Sequence, residues 1–174
     1  TFKNIYGYGL MNEPHDLTPE TSWFDMAQAS INAIREVDTN TLIMVGGNDW
    51  SSAERWIEQS DTLKYLKDPA NNLAFEAHVY FDKDASGTYK YSYEEEECYP
   101  EKGIDRVKPF VEWIKQNKFH GFIGEYGIPD NDPRWNETLD LFLGYLQENG
   151  INGTYWAAGP WWDSYFMADR KSTR

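Results

Sequence analysis

Short apolar runs alternate with amphipathic stretches along the sequence, and this alternation limits the fold more than any other feature. Five runs have the composition of strands, and they are residues 4–11, 42–45, 73–80, 122–123 and 153–157. A helix is predicted in each of the four stretches between them, and three of these stretches place apolar residues at helical spacing. Repeated alternation of strand and helix predicts a parallel sheet flanked by helices.

Several residues mark the expected ends of helices. Thr18 is expected to cap the first helix, with Pro19 at its first helical position. A short helix is expected over residues 52–59. The dipeptide at 132–133 opens the last helix, and Gly150 is expected to end it in a left-handed cap.

Five strands are too few to close an eight-stranded barrel. The chain has 174 residues, whereas such a barrel needs about 250. A five-stranded piece of a barrel would leave two strand edges open, which is a hazard for a soluble protein. The pattern therefore allows two α/β folds for residues 1–174, an open doubly wound sheet or part of a (β/α)8 barrel.

The composition excludes several classes of partner. A net charge of −13 argues against nucleic acid and against anionic membrane surfaces, which both attract Lys and Arg. The sequence contains no run of about 18 apolar residues, so no membrane-spanning segment is expected. Neutral sugar polymers are indifferent to this charge. The eight Trp and twelve Tyr exceed the needs of a core and suit stacking on pyranose rings.

Polar and aromatic side chains lie at the end of each predicted strand. They are Asn12-Glu13-Pro14, Asn48-Asp49-Trp50, His78 with Tyr80, Glu125-Tyr126, and Trp156. In a parallel barrel the carboxyl ends of all strands lie on one face, where active sites are built. One such cluster would be weak evidence, but five in chain order favour a site on that face.

Glu13 and Glu125 are the central pair of candidate catalytic residues. Hydrolysis of a glycosidic bond needs one carboxylic acid to protonate the leaving oxygen, and a second carboxylate to attack the anomeric carbon or activate water. A separation of about 5–5.5 Å gives retention, and about 6.5–9.5 Å gives inversion. Taken singly, Glu13 also fits a helix-start carboxylate beside Pro14, and Glu125 a loop carboxylate between glycines. Their joint position at strand ends favours the catalytic pair.

Other strand-end residues suit sugar binding. Asn12 can donate a hydrogen bond to a sugar hydroxyl, or it can cap a turn. His78 and Tyr80 are two residues apart on a strand and therefore point to the same side, where they could orient Glu125. Trp156 suits a sugar platform as well as core packing. Weaker candidates for further subsites are Trp50, Trp161 and Trp162.

Metal or cofactor chemistry has little support in the sequence, so no cofactor and no metal are expected. The three His are scattered, and no His-x-x-x-His or Cys-x-x-Cys spacing occurs. Cys98 is the only cysteine, so no internal disulfide can form. The acidic run 94–97 lies in a long polar loop expected over residues 81–102. We expect this run to be a solvated face, with calcium binding as the alternative.

Four motifs occur in order along the chain. They are Gly9-Leu10-Met11-Asn12-Glu13-Pro14, His78-Val79-Tyr80, Gly124-Glu125-Tyr126-Gly127 and Tyr155-Trp156. The ordered set resembles glycoside hydrolase family 5, where such motifs lie on strands four, six, seven and eight of a (β/α)8 barrel. The segment from Tyr80 to Thr88 resembles the branch with bacterial and fungal endoglucanases. The resemblance implies that the chain supplies about strands 4 to 8 of the barrel.

The resemblance also implies an activity and residue roles. The expected activity is that of a retaining endo-β-1,4-glucanase, a cellulase that cleaves internal bonds of β-1,4-glucan by double displacement. Glu13 becomes the acid/base and Glu125 the nucleophile. The remaining assignments are His78 and Tyr80 as substrate and nucleophile contacts, Asn12 as a partner near the 2-hydroxyl, and Trp156 as the floor of the central subsite.

The family's first three strands carry an Arg and a His that help to form the site, and residues 1–174 lack these strands. The resemblance therefore implies a second chain or an N-terminal segment that supplies strands 1 to 3, and little activity of the isolated chain. It also implies a secreted or periplasmic protein acting on β-glucan polysaccharide or oligosaccharide. Alternatives are β-1,4-mannan, xyloglucan or mixed-linkage glucan as substrate, or a non-catalytic glycan-binding or assembly fragment.

Overall fold

The computed structural model describes residues 4–18, 20–158, 166 and 167. Within them, the strands are β1 Gly7–Gly9, β2 Leu42–Gly46, β3 Leu73–His78, β4 His120–Tyr126 and β5 Asn152–Tyr155. The helices are α1 Trp23–Arg35, α2 Asn48–Ser51, α3 Trp56–Ser60, α4 Lys102–Asn117 and α5 Arg134–Glu148, with a 3₁₀ helix at Asp61–Tyr65. The sheet order is β1-β2-β3-β4-β5. Strands β1, β2 and β3 pair in parallel, with Gly7 opposite Leu42 and Ile43 opposite Leu73.

The chain divides into two compact units. The first comprises Thr1–Ala77 and Pro109–Phe122, and the second comprises His78–Lys108 and Ile123–Arg174. None of the helices within the described ranges combines the length and apolarity needed to cross a membrane.

The core of the first unit contains a cluster of aromatic rings. Trp56 packs edge-on against Phe110, with ring centroids 4.6 Å apart, and against Trp113 at 5.4 Å. Phe75 from β3 packs edge-on against Trp113 at 4.9 Å. The indole nitrogen of Trp113 donates a hydrogen bond to Asp61 at 2.9 Å. These Trp residues therefore belong to the core and not to a sugar-binding surface.

Helix α1 begins at Trp23, one turn later than the sequence predicts. Ser22 is the cap, because its hydroxyl accepts a hydrogen bond from the Asp25 amide at 3.3 Å. The carbonyl of Thr18 instead accepts from the Thr21 amide at 2.8 Å, which makes a turn before the helix. The predicted start at Thr18 is therefore wrong, and Pro19 lies outside the described residues.

A buried ion pair holds the C-terminal end of α1 in the first unit. Arg35 Nε lies 2.7 Å from Asp68 Oδ1, and Arg35 Nη2 lies 3.0 Å from Asp68 Oδ2. The exposed fractions of the two side chains are 4% and 1%. Burial alone would raise the pKa of Asp68, but hydrogen bonds from Arg35 and from the amides of Asn72 and Ala70 outweigh it and lower that pKa.

Helix α5 in the second unit begins and ends close to where the sequence predicts. Asp132 Oδ1 accepts from the Arg134 amide at 2.9 Å at the start. At the end, Gly150 has a φ of +66°, and the Ile151 amide donates to the Leu146 carbonyl at 3.0 Å. This bond and the positive φ confirm the predicted left-handed cap. The buried face of α5 comprises Trp135, Thr138, Phe142 and Leu146.

The segment between Phe81 and Lys102 is a long loop, as predicted, but it has a buried polar interior. Glu96 is only 3% exposed. Its Oε2 accepts from the Lys83 amide at 2.8 Å, and its Oε1 accepts from the Tyr91 amide at 2.9 Å. The expectation that run 94–97 is a solvated face is therefore wrong for Glu96, because this carboxylate satisfies main-chain amides inside the loop.

Candidate active site

Glu13 lies in the first unit, just beyond the end of β1. The Leu10 amide still donates to the Met44 carbonyl at 3.1 Å, so the sheet pairing runs up to the motif. Glu13 is partly buried and has a φ of +47°. A non-glycine residue in this region costs about 1–3 kcal/mol, and such strain clusters at functional sites. The first helix begins ten residues later, at Trp23, so Glu13 is not a helix-start carboxylate.

The segment that follows Glu13 carries an exposed aromatic stack. His15 Nδ1 donates to the Glu13 carbonyl at 2.7 Å. The imidazole of His15 stacks on the indole of Trp50, with ring centroids 4.4 Å apart and planes 14° apart. The Trp50 amide donates to the Pro14 carbonyl at 3.3 Å. Trp50 lies in α2, which follows β2, and is 44% exposed, so part of its indole is accessible to a ligand.

Three side chains of the second unit meet at one carboxylate oxygen. Tyr80 donates its phenolic hydrogen to Glu125 Oε2 at 2.7 Å. His78 Nδ1 lies 3.6 Å from the same oxygen, which is an electrostatic contact and not a hydrogen bond. The main chains are joined as well, because the Val79 amide donates to the Glu125 carbonyl at 3.0 Å. The exposed fraction of the Glu125 side chain is 13%, so its charge is mostly screened from solvent.

Trp156 follows β5, the last strand of the second unit. The Trp156 amide donates to the Tyr126 carbonyl at 2.8 Å, and Trp156 is partly buried. A Cβ atom at Gly127 would lie 2.3 Å from the Trp156 carbonyl oxygen. Gly127 therefore has to lack a side chain for the main chain of Trp156 to pass this close. Trp161 and Trp162 lie outside the described residues.

The sequence also matches a family model, described as "Cellulase (glycosyl hydrolase family 5)", over residues 3–161. The chain belongs to glycosyl hydrolase family 5. Membership confirms the family suggested by the four ordered motifs.

Named relatives in this family support the same placement. Endo-beta-1,4-glucanase B of Emericella nidulans is 36% identical over 171 residues, which are 95% of this chain and 49% of that protein. The endoglucanase Cel5A of Pseudomonas stutzeri, solved in complex with cellobiose, is 43% identical, with a TM-score of 0.85 over 94% of this chain and 48% of that one. XacCel5A, solved in complex with cellopentaose, is 35% identical with a TM-score of 0.84 over 96% and 55%. The chain therefore spans about half the length of these relatives.

The family 5 structures decide between the two folds that the sequence allowed. Their TM-scores and their half coverage confirm part of a (β/α)8 barrel and exclude an open doubly wound sheet. The structure brings His78, Tyr80 and Glu125 together in the second unit. Glu13, Asn12 and Trp50 lie in the first unit, so the approach of Glu13 to Glu125 stays a prediction.

The sequence analysis did not identify Arg106, whose hydrogen bonds hold the main chain at Tyr80. Arg106 in α4 is buried and donates from Nη1 to the Tyr80 carbonyl, and from Nη2 to the Lys83 carbonyl at 3.0 Å. The Tyr80 carbonyl lies 26 residues earlier in the chain. No local pattern could reveal this bond, because a carbonyl acceptor has no signature in the residue type.

Proposed function

We propose that the whole protein is a retaining endo-β-1,4-glucanase that hydrolyses internal β-1,4-glucosidic bonds. The observation that carries the proposal is the contact of Tyr80 and His78 with one oxygen of Glu125. A phenol donor held against a carboxylate stabilises its ionised form and orients it, which is what a nucleophile needs. The named relatives are endo-β-1,4-glucanases, and two solved neighbours hold cellobiose or cellopentaose.

The proposed reaction has two displacement steps. Glu125 attacks the anomeric carbon and forms a glycosyl-enzyme bond, while Glu13 donates its proton to the departing glycosidic oxygen. Glu13, now a carboxylate, then takes a proton from water, and that water displaces Glu125 from the anomeric carbon. Two inversions at the same carbon leave the product with the β configuration of the substrate. The free Glu125 carboxylate and protonated Glu13 are regenerated.

Polar and aromatic residues are proposed as substrate contacts. Asn12 hydrogen-bonds the sugar near its 2-hydroxyl, and Trp156 forms the floor of the central subsite. Trp50 offers an exposed indole for a further sugar, and Trp162 is proposed for the same kind of role. Neutral glucose units stack on such faces without opposing the net charge of −13. The substrate class is therefore β-glucan polysaccharide or oligosaccharide.

The remaining barrel strands belong to the proposal as well. The relatives are about twice as long as the matched region, so this region makes up only about half of each of them. We propose that residues 1–174 work together with such strands, supplied by an adjoining segment or a second chain. Little turnover is expected from residues 1–174 alone. Secretion or export to the periplasm is proposed because a polymeric substrate is met outside the cytoplasm.

Two substitutions test the proposed roles in the complete catalytic domain. Glu125→Gln is expected to abolish hydrolysis of soluble cellulose derivatives and cellopentaose while sugar binding persists. Glu13→Ala is expected to lose polymer hydrolysis but to retain glycosides with activated leaving groups, which need no proton. Glu148→Gln, an exposed position at the end of α5, is the matched control.

Two further measurements decide the class of activity. Proton NMR of the first product formed should give the β anomer, and an α anomer would refute retention. Reducing-sugar release from mannan, xyloglucan and mixed-linkage glucan should be slower than from β-1,4-glucan. Glycan binding without hydrolysis by the complete domain would contradict the enzyme proposal and support a binding module.

A further inference from the structure

We propose that Tyr89 is a positioning residue for the nucleophile, because its hydroxyl joins the chain after Tyr80 to the chain after Glu125. The Phe81 amide donates to the Tyr89 hydroxyl at 2.9 Å, and this hydroxyl donates to the Gly127 carbonyl at 2.6 Å. The inference rests on the proposed function of Glu125 and deepens it.

The Tyr89 hydroxyl occupies a specific position in the hydrogen-bond ladder. The last direct bond at this point runs from the Val79 amide to the Glu125 carbonyl, at 3.0 Å. In a parallel pair the next bond from an amide of this strand would run two residues further along both strands, from the Phe81 amide to the Gly127 carbonyl. The structure replaces that direct bond with the relay through Tyr89. The ladder therefore continues past the strand ends, with a phenol oxygen inserted.

Tyr80 lies between these two links. One link fixes Val79 and the other fixes Phe81, so both neighbours of Tyr80 are tied to the strand that carries Glu125. The distance of 2.7 Å from the Tyr80 hydroxyl to Glu125 Oε2 depends on this spacing. If the relay were lost, the two main chains could close to a direct bond or admit water, and either change would move Tyr80 relative to the carboxylate.

A buried carboxylate holds Tyr89 in place. Asp82 Oδ2 accepts from the Tyr89 amide at 3.2 Å and from the Thr88 amide at 2.9 Å, and Asp82 Oδ1 accepts from the Gly87 amide at 3.0 Å. Asp82 itself follows Phe81 directly. Residues 87–89 therefore fold back onto Asp82 near the start of the loop, and this turn places the Tyr89 ring beside Phe81 and Gly127. The ring packs edge-on against Trp135 at 4.9 Å.

The Tyr89 phenol is suited to a permanent relay. Burial raises its pKa well above the ordinary value, so the hydroxyl keeps its proton. It accepts one hydrogen bond and donates one, which are the two roles that the Phe81 amide and the Gly127 carbonyl require. Among the described residues, no other side chain bridges the Phe81 amide and the Gly127 carbonyl.

The chain offers a matched control in Tyr93. Tyr89 and Tyr93 are both 6% exposed, and both pack on Trp135, Tyr93 at 4.8 Å. The Tyr93 hydroxyl pairs with the Thr138 hydroxyl at 3.1 Å, and among the described residues it has no hydrogen bond to Phe81 or Gly127. Tyr89→Phe and Tyr93→Phe therefore remove the same atom from similar surroundings, and only the first breaks the relay.

The test is covalent trapping of the nucleophile in the complete catalytic domain. The probe is 2,4-dinitrophenyl 2-deoxy-2-fluoro-β-cellobioside. Glu125 would form a bond to the anomeric carbon while dinitrophenolate leaves with the bonding electron pair, and the fluorine slows release of the sugar. The leaving group needs no proton, so the trapping rate reports on Glu125 and not on Glu13. Mass spectrometry of the digest identifies the labelled residue.

We expect Tyr89→Phe to lower the maximal trapping rate about tenfold, the effect of roughly one lost hydrogen bond. The concentration for half-maximal trapping should stay within about twofold of wild type, because sugar contacts are unchanged. Tyr93→Phe should stay within about twofold on both measures. All proteins are assayed well below their thermal midpoints, so that loss of fold does not contribute.

Two outcomes would overturn the inference in different ways. If Glu125 is labelled in the wild type and Tyr89→Phe traps as fast as Tyr93→Phe, Tyr89 has only a packing role. If the wild type is not labelled at Glu125, the proposed function fails first, and the inference about Tyr89 falls with it. The wild-type experiment alone therefore separates the two failures.

Discussion

The contact between Tyr80 and Glu125 gives the sharpest quantitative prediction. Tyr80→Phe removes one hydroxyl and leaves the ring, which is 6% exposed, in place. The lost bond is 2.7 Å long and goes to a carboxylate whose side chain is 13% exposed. A hydrogen bond to a charged group contributes about 1.5–3 kcal/mol, and little of that is lost to solvent screening at this exposure. The rate should therefore fall roughly 10- to 150-fold.

The assay is the turnover of cellopentaose by the complete catalytic domain, followed by product release at saturating substrate. The effect should lie in kcat, because the Tyr80 hydroxyl orients Glu125 for attack in the first displacement and stabilises the carboxylate charge that returns in the second. Tyr8→Phe is the control, because the Tyr8 hydroxyl donates to Asp38 Oδ2 at 3.1 Å in the first unit. The control also breaks a phenol–carboxylate bond, and it should leave kcat within about twofold of wild type.

A kcat for Tyr80→Phe within about threefold of wild type would refute this reasoning. It would mean that the phenol only packs beside the nucleophile. A parallel urea titration guards against a different explanation, since a large loss of stability would lower the amount of folded enzyme without touching kcat per folded molecule.

Three further predictions concern stability. Asp68→Asn should lower the free energy of unfolding by about 3–5 kcal/mol in urea titrations, because it leaves Arg35 buried beside a neutral partner; an effect below about 1 kcal/mol would contradict this. Because the pKa of Asp68 is lowered in the folded protein, the stability it contributes is present above about pH 4 and is lost as the pH falls below that value. The Asp68→Asn variant should therefore lose stability less steeply than wild type in acid. Gly127→Ala should lower the melting temperature and shift Trp156, visible as changed intrinsic fluorescence, because its Cβ would lie 2.3 Å from a carbonyl oxygen; an unchanged melting temperature would show that the main chain can yield.

The sequence predicts most of the regular elements because their signals are local, but the helix expected over residues 52–59 is wrong in its first half, since α3 begins at Trp56. Apolar residues at helical spacing predict α4, and Val107, Phe110, Val111 and Ile114 are all buried in the structure. The end of α5 is predictable because Gly150 has the one backbone conformation that most residues avoid. The strand positions follow from short apolar runs bounded by polar residues. In each case the residues that decide the structure lie within a few positions of one another.

The start of α1 shows where local signals compete. The prediction of Thr18 as the cap rests on Pro19, which follows it, although Ser22 is also a residue type that caps helices. The structure selects Ser22, with Trp23 at the first helical position and buried. The Trp23 indole nitrogen donates to the Gly46 carbonyl at 2.7 Å, a contact across 23 residues. A tertiary contact thus accompanies the cap that the structure adopts.

The candidate site divides in the same way. Glu125, His78 and Tyr80 are predictable because motif residues at strand ends converge in parallel sheets. Tyr89 and Arg106 are not, because their partners are main-chain groups 38 and 26 residues away. Such partners carry no residue-type signal, so they emerge only from the folded chain. Glu96 is missed for the same reason, since four consecutive glutamates suggest a solvated surface.

The loop after β3 explains how Tyr80 can be held rigidly outside a regular element. A loop of about twenty residues in a compact domain is uncommon and usually functional. Four buried charged side chains satisfy main-chain groups of this loop, and they are Asp82, Glu96, Lys102 and Arg106. Each of these side chains bonds main-chain groups, so hydrogen bonds inside the loop hold its main chain in place. Arg106 bonds the Tyr80 carbonyl, and Tyr89 bonds the Gly127 carbonyl, so the same set of bonds reaches both sides of the proposed nucleophile. Substitutions at these polar positions should therefore disturb the nucleophile more than substitutions of equal size on the outer face of α5.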